Sequence, residues 1–567
     1  MSIDPFVPAT LHASSEPSSE DPRRVLAFCI WARPRDQSRP NAHSSPFLRS
    51  RKWLVSTPQL AYCSPMLEET GLTRAVLDRA RRSRDARFDG KFFIAVTSTR
   101  IYCRPICPAK TSKDENVTYY ATAAEAAAAG FRPCRRCRPE SAPGSPAWLG
   151  TSAVVRRALR MIQGGALDEG SVEQLASRLG VGVRHLCRLF TRHLGTSPTA
   201  IAQTRRLHFA KQLLDETDLP ITEIALASGF GSVRRFNDAF NAMYRRPPRE
   251  LRKRLRVDRR RSMDAQIKLQ LSYRPPYDWH TLVRFLAKHA IPGVEAVSGE
   301  TYLRTVPAGS GRHAILQVRP VTGVNALELC VRGAEPADLL PLTSSVRRMF
   351  DLSADPERIA LILKRDARLA PLVTARPGLR IPGTWSPFES GVRAIIGQKL
   401  LLEEARPLLA RLVECAGEQF TEGERLRYLF PTPDAVAKAH LEDLGLAPGR
   451  AQALRRFAFA VRDGAITLDE PEAQLLRLLT DITGIDTWVV GYVVLRGLGE
   501  PDGFPSGDPL LRRQLSGHHT LLSAEELDSR AELWRPFRGY AVLHLWQAAA
   551  ADSFQVRTQP VHAHPAR

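Results

Sequence analysis

A chain of 567 residues with 43% apolar residues and a formal charge of +22 is too long for one core and has apolar material for several; length alone suggests about four domains. The cationic excess points to a polyanionic partner, most often nucleic acid. No run reaches the roughly 18 apolar residues that span a bilayer, MSIDPFVPAT opens without a basic-then-apolar leader, and nine cysteines are too few to staple such a chain. A reducing, cytoplasmic setting is therefore expected, rather than a membrane protein or a secreted disulfide scaffold.

In chain order, residues 1–65 are rich in Ser, Pro and Arg without sustained periodicity and read as a disordered extension or an over-extended start. Residues 66–140 form a small cysteine-bearing unit whose first helix-like run opens at Met66 (Leu67, Leu72, Val76, Leu77). The string SAPGSPAWLG makes 141–151 a linker. Residues 152–256 read as nearly all helix, closing on the basic run RKRLRVDRRR. From Gln266 the strings QIKLQLSY, HAILQVRP and ALELCVRG alternate like strands, giving a sheet-containing unit over 266–345. Residues 346–555 are helical again, and 556–567 are a tail. The expected fold class is thus multidomain, mainly α with small α+β units.

Cys103 and Cys107 are spaced C-x-x-x-C, and Cys134 and Cys137 C-x-x-C. Two close pairs suit a tetrahedral thiolate site, since each short loop aims two sulfurs at one ion. Between the pairs, Thr122 and Glu125 predict a capping box, the alanine run a helix, and Gly130 its C′ residue. Such a site can add about 10–16 kcal/mol of apparent zinc affinity to folding. Spacing alone favours a zinc ion that only holds the fold.

The strings FFIAVTSTRIYCRPICPAK and GFRPCRRCRPE resemble the N-terminal domain of the Ada family. The resemblance implies one zinc ion and unequal cysteines: Cys107, Cys134 and Cys137 as holders, and Cys103 as both ligand and nucleophile, taking a methyl group irreversibly from a methyl phosphotriester in DNA. Loss of one thiolate charge about 8 Å from a phosphate, at an effective dielectric of about 20, is worth roughly 2 kcal/mol, or about 30-fold in DNA affinity. Lys110, Arg132 and Arg136 are expected to flank the site and touch the DNA backbone.

SVEQLASRLGVGVRHLCRLFTRHLG has the helix, Gly turn, helix pattern of a helix-turn-helix, and ITEIALASGFGSVRRFNDAFNAMYRRPP repeats it. The pair resembles the AraC family of DNA-binding domains. The second helix of each motif is expected in the major groove, carrying Arg184, His185 and Arg188 in the first and Arg234, Arg235 and Asn237 in the second.

In the C-terminal half, SPFESGVRAIIGQKL, LTDITGIDTWVVGYVVLRGLGEPDGFPSGDPLLRRQL and RPFRGYAVLHLWQ, together with YRPPYDWHTLVRFLAKHAI, resemble the AlkA type of 3-methyladenine DNA glycosylase in the helix-hairpin-helix superfamily. The resemblance places the catalytic carboxylate at Asp508, pocket aromatics at Trp488, Tyr492 and Trp546 with Trp279 and Phe285 behind them, and a phosphate-binding hairpin at 482–486 around Gly484. Asp486 stands where the family has a second glycine, and a left-handed backbone is expected there. Trp488 replaces the lysine of strand-cleaving relatives, implying a monofunctional enzyme. Only Cys330 and Cys415 lie in this half, so no iron–sulfur cluster is expected. Pro509 and Gln547 depart from the aromatics of some relatives, and Lys399, after Gly397-Gln398, takes the place of the residue that fills the flipped base's gap. No Pro-Cys-His-Arg string is present, so O-alkylguanine repair is not expected.

The sequence thus reads as a fused regulator and repair enzyme, a monomer acting on alkylated and promoter double-stranded DNA, with RNA polymerase as its protein partner and no membrane. Two rivals stand beside it: a transcription factor with an inert glycosylase half, and a glycosylase whose zinc head merely tethers DNA.

Overall fold

A computed structural model of the chain describes residues 72–134, 136, 137, 139, 153–168, 170–253, 266–419, 425–516 and 522–558. The expected extension over 1–65 and linker over 141–151 lie outside the described residues, as do Met66, Leu67 and most of the basic run after Lys253.

The first described helix, α1 (Arg74–Ser83), begins later than the apolar run suggests because Thr73 caps it through the N–H of Val76. It packs on a four-stranded sheet ordered β3-β1-β2-β4, built from β1 (Phe93–Val96), β2 (Ile101–Cys103), β3 (Val117–Tyr120) and β4 (Arg132–Pro133). The alanine-rich helix α2 (Ala123–Ala128) is capped by Thr122. Only half the expected capping box forms, because the Glu125 carboxylate reaches one residue further back, to the N–H of Ala121. Gly130 ends the helix at φ +85. Its N–H meets Ala127 O and that of Phe131 meets Ala126 O, the paired bonds of a Schellman motif.

The helices that follow include α3 (Ala153–Gln163), α4 (Val172–Arg178), α5 (Val183–Leu194), the long α6 (Pro198–Glu216), α7 (Ile221–Ala227) and α8 (Val233–Tyr244). The α4–α5 and α7–α8 pairs turn through Gly180 (φ +69) and Gly229 (φ +76), where a side chain would be strained.

The next unit is an antiparallel sheet ordered β5-β9-β8-β7-β6: β5 (Ile267–Ser272), β6 (Glu295–Ser298), β7 (Thr301–Ala308), β8 (Arg312–Pro320) and β9 (Ala326–Arg332). Helix α9 (Trp279–His289) packs on it. The β6–β7 hairpin is absent from the sequence reading. Its alternation is broken by Arg304, which points inward with no exposed surface and binds Glu295 at 2.9 Å and Glu389. Arg393 binds the same two carboxylates at 2.5 and 2.7 Å, so the four charges pair off in the interior.

Helix α10 (Leu339–Met349) crosses the unit boundary expected after residue 345; its buried Leu342 and Val346 belong to one apolar stripe. Beyond it come α11 (Pro387–Gly397), α12 (Leu402–Ala416), α13 (Pro448–Arg462), α14 (Glu472–Thr480), α15 (Thr487–Tyr492), α16 (Pro509–Leu515) and α17 (Arg538–Thr558). The last helix runs three residues into the expected tail; residues 559–567 lie outside the described residues. Among the described residues, no helix is long and apolar enough to cross a membrane.

The cores ignore the unit boundaries. Leu77, Phe92 and Tyr119 of the head share one core with Val155, Leu186 and Phe190 of the first helical motif. Phe236, Phe240 and Tyr244 of the second motif share another with Leu269, Leu329 and Leu340 of the sheet unit. Polar contacts follow suit: Lys91 meets Asp355 at 2.8 Å, Arg274 donates to Asp89 O at 2.7 Å, and Arg157 to Glu470 at 2.8 Å.

Candidate functional site

The head's site is made by register. Strand β2 ends in Cys103 and pairs in parallel with β4, Tyr102 opposite Pro133, so Cys134 emerges beside Cys103. The N–H of Cys134 donates to Tyr102 O at 2.9 Å, and that of Cys107 to Arg104 O at 3.1 Å. The four sulfurs lie within 4.8 Å of one another, with Cys107 and Cys134 3.9 Å apart. Four ligands about 2.3 Å from a tetrahedral zinc ion have sulfurs about 3.8 Å apart, so the donor set fits that metal.

The sulfurs differ in their donors. Arg104 N–H reaches Cys137 Sγ at 3.3 Å, the Ala109 N–H serves Cys107, and the Cys137 N–H serves Cys134. Cys103 has no such donor among the described residues. Its thiol and that of Cys137 are pushed up by hydrogen bonding to neighbouring sulfurs, while those of Cys107 and Cys134 are pulled down. Cys103, Cys107 and Cys134 line an open cleft of about 360 Å³ with Lys110, Arg132 and Arg136. The structure therefore gathers all three expected phosphate-contact residues with the cysteines. Arg104 was missed. Its guanidinium, buried against Asp89 at 2.8 Å, also donates to Cys137 O at 3.1 Å. An arginine beside a cysteine carries no spacing signal of its own.

In the helical unit Arg184, His185, Arg188, Arg234, Arg235 and Asn237 are all exposed on α5 and α8, whose N-caps are Gly182 and Ser232. The cores beneath hold Leu186, Phe190, Phe236 and Phe240.

In the C-terminal half, Asp508 is the N-cap of α16 and is only 5% exposed. Its Oδ1 accepts from the N–H groups of Leu510 and Leu511 at 2.9 and 3.0 Å. Its Oδ2 accepts from the indoles of Trp488 and Trp546 at 3.0 and 3.3 Å. Four donors fix the carboxylate between two half-buried indoles. Pro509 suits position N1 of that helix, where no N–H is needed, and Gln547 accepts from Arg376 at 2.9 Å. Tyr492 tilts against Trp488 with ring centroids 5.2 Å apart.

Phe285 joins this group indirectly: the Arg496 guanidinium lies 4.9 Å from its ring and 5.0 Å from that of Tyr492. Trp279 does not join it. Its indole donates to Glu300 O at 3.1 Å, and it stacks on Phe350 at 5.7 Å within the sheet unit's core. Its expected place behind the pocket is corrected accordingly.

The hairpin between α14 and α15 holds Gly484 at φ +95, where an added Cβ would lie 3.1 Å from Ala453 Cβ. Asp486 is not left-handed. It is extended (φ −103, ψ 174) and caps α15 through the N–H of Val489, so its charge serves a helix N-terminus. Lys399 is exposed and left-handed at φ +59. Arg450, near the start of α13, donates to the neighbouring Gln398 O at 2.7 Å.

Three family profiles match: the metal binding domain of Ada over residues 77–140, a helix-turn-helix domain over 175–254 and the AlkA N-terminal domain over 268–386. A Mycobacterium tuberculosis protein described as a probable bifunctional transcriptional activator/DNA repair enzyme AlkA is 35% identical over 479 residues, covering 82% of this chain and 95% of its own. The chain belongs to this AlkA family of bifunctional activator and repair proteins. The AlkA-family chain is also 33% identical to DNA-3-methyladenine glycosylase 2 of Escherichia coli over 281 residues, covering 49% of this chain and 95% of the relative. It is 38% identical over 148 residues to the bifunctional transcriptional activator/DNA repair enzyme Ada of Escherichia coli, covering 26% and 40%. The four-cysteine cluster lies within the match to the Ada metal binding domain.

Proposed function

We propose that the chain is a DNA alkylation-damage protein joining a monofunctional DNA-3-methyladenine glycosylase to a methyl-responsive transcriptional activator. The observation that carries the enzymatic half is the four-donor clamp on Asp508 beside Trp488, Tyr492 and Trp546. The flipped base stacks on the aromatic faces, which attract the positive charge of an alkylated purine. The C1′–N bond breaks and its electron pair leaves with the base. Asp508 stabilises the cationic sugar by charge. Water then forms the C1′–O bond and gives its proton to solvent, leaving an abasic site. No lysine stands at position 488 to attack the sugar. The capping role of Asp486 supports an active hairpin: its carboxylate is engaged in its own helix, so its departure from the family pattern does not favour an inert half.

In the head, Cys103, Cys107, Cys134 and Cys137 hold one zinc ion, whose positive charge keeps the thiols ionised at neutral pH. Cys103 is the nucleophile, a choice supported by its having, alone of the four, no backbone N–H donor among the described residues. Its sulfur bonds the methyl carbon of a methyl phosphotriester, the C–O bond breaks, and the electron pair remains on the phosphate as a diester anion. The site loses one negative charge beside Lys110, Arg132 and Arg136, and DNA affinity rises. Arg184, Arg188, Arg234, Arg235 and Asn237 then read or anchor the promoter, with Gly484 and Lys399 on the damaged duplex. The protein acts as a monomer in the cytoplasm and contacts RNA polymerase.

Two measurements test this. Wild type is expected to release 3-methyladenine from alkylated DNA and Asp508→Asn to release it at least about 100-fold more slowly; background release from both sinks the enzyme. Mass spectrometry after exposure to methyl-phosphotriester DNA is expected to find one methyl group on Cys103. A zinc-loaded head that gains none leaves it a tether.

A further inference from the structure

Arg496 is 2% exposed and lies one helical turn after Tyr492, in a short π-helical stretch (Val493–Gly497). Its Nε donates to Pro382 O at 2.6 Å, and one terminal nitrogen donates to the Tyr492 hydroxyl oxygen. These partners are neutral. The carboxylate that acts on Arg496 through space, Glu295, is already bridged by Arg304 and Arg393. His289, stacked on Phe285 at 3.9 Å, is held down to about 3 by burial and by Arg496, so it is neutral at working pH. Arg348 adds a further cation, donating to Gly497 O at 2.7 Å. Arg496 thus forms no ion pair among the described residues.

Asp508, Trp488, Tyr492, Arg496 and Phe285 form a continuous ladder, a carboxylate at one end and a guanidinium without an ion pair among the described residues toward the other. Resting on the glycosylase reading and on Tyr492 as a wall of its base pocket, we propose that Arg496 is a specificity-determining residue that favours uncharged damaged bases over cationic ones. It touches no substrate and acts across Tyr492. The physics has one sign in both states. In the ground state, a fixed cation against the Tyr492 ring opposes a second cation stacked on that ring. In the transition state, the glycosidic electron pair moves onto the base. A neutral purine departs with developing negative charge, which Arg496 stabilises, whereas a cationic purine is opposed on binding and reaches the transition state with that charge fading; once bound, both bases lose the same charge, so the preference lies in the second-order constant and not in the saturated rate. A unit charge about 8 Å away at an effective dielectric of about 20 makes the preference on the order of 30-fold.

The test measures single-turnover excision at subsaturating enzyme, which reads the second-order constant, for hypoxanthine, an uncharged base, and 7-methylguanine, a cationic one, from duplexes of the same sequence. In Arg496→Gln and Arg496→Met, the hypoxanthine-to-7-methylguanine ratio of these constants is expected to fall about 30-fold. In Arg496→Lys, which keeps the charge, it is expected to stay within about threefold of wild type. A general slowing of both bases with the ratio unchanged, in a neutral variant that melts like wild type, overturns the proposal and leaves Arg496 a packing residue. If neither neutral variant folds, Arg496→Lys decides: a preserved ratio supports the charge, and a shifted one overturns it. Background release of both bases by wild type overturns the glycosylase reading, and this proposal with it.

Discussion

The thiolate cluster and the Asp508 pocket are built by opposite strategies. The four cysteines fall within residues 103–137, and parallel pairing of β2 with β4 brings the two loops together. The pocket draws on α15, the N-terminus of α16 and α17, and its carboxylate is held by indoles 20 residues before it and 38 after it. A metal clamp made of short loops carries its geometry in its spacing. A carboxylate site carries it in tertiary packing, and spacing around Asp508 says little beyond a turn.

The sharpest way to break this contrast is Cys137→Ser. It is expected to abolish stoichiometric zinc and forfeit much of an apparent binding energy of about 10–16 kcal/mol, unfolding the head together with the helical motif that shares its core. Metal analysis finding one ion per chain would show that the clamp is not what holds the head.

A smaller effect asks whether the clamp depends on tertiary packing too. Tyr102, next to Cys103, hydrogen-bonds His208 of α6 at 2.9 Å, and burial lowers His208 to about 4 from an ordinary 6.5. Its folded value is depressed, so the stability it contributes is intact above about pH 6.5 and lost as pH falls toward 4, up to about 3 kcal/mol. Denaturant midpoints near pH 5 and pH 7 should differ less in His208→Gln than in wild type.

In the pocket, Trp546→Phe removes one of two indole donors to Asp508 and is expected to slow excision about tenfold, with Trp488→Phe at least as damaging. Unchanged rates would mean that the helix-cap bonds suffice. The smallest expected effect is that of Lys399→Ala: DNA affinity reduced a few-fold, and a salt dependence shallower by about one unit of logarithmic slope.

The same contrast governs what the sequence disclosed. The cysteine set and the glycine stop at Gly130 are local signals, and each was readable. The β6–β7 hairpin was not, because Arg304 faces inward to meet Glu295 of the paired strand and Glu389 of α11. Asp486 looked like a substituted glycine and proved to be a helix cap, since the chain is extended there. Trp279 and Phe285, six positions apart on one helix, seemed equivalent; packing sends the first into the sheet unit's core and leaves the second against Arg496. Arg104 and Arg496 carry no pattern at all, because what they do depends on partners distant in sequence or on burial.

The core common to α8 and the sheet unit bears on how such a protein can be divided. Phe236, Phe240 and Tyr244 are all at most 1% exposed and belong to one apolar cluster with Leu269 and Leu329 of the sheet unit. Cutting the chain where its family matches end would leave two sticky halves rather than two modules. The helical unit and the sheet unit therefore move as one body, and on the proposed reading DNA gripped by the recognition helices would have the repair pocket at a fixed bearing from it.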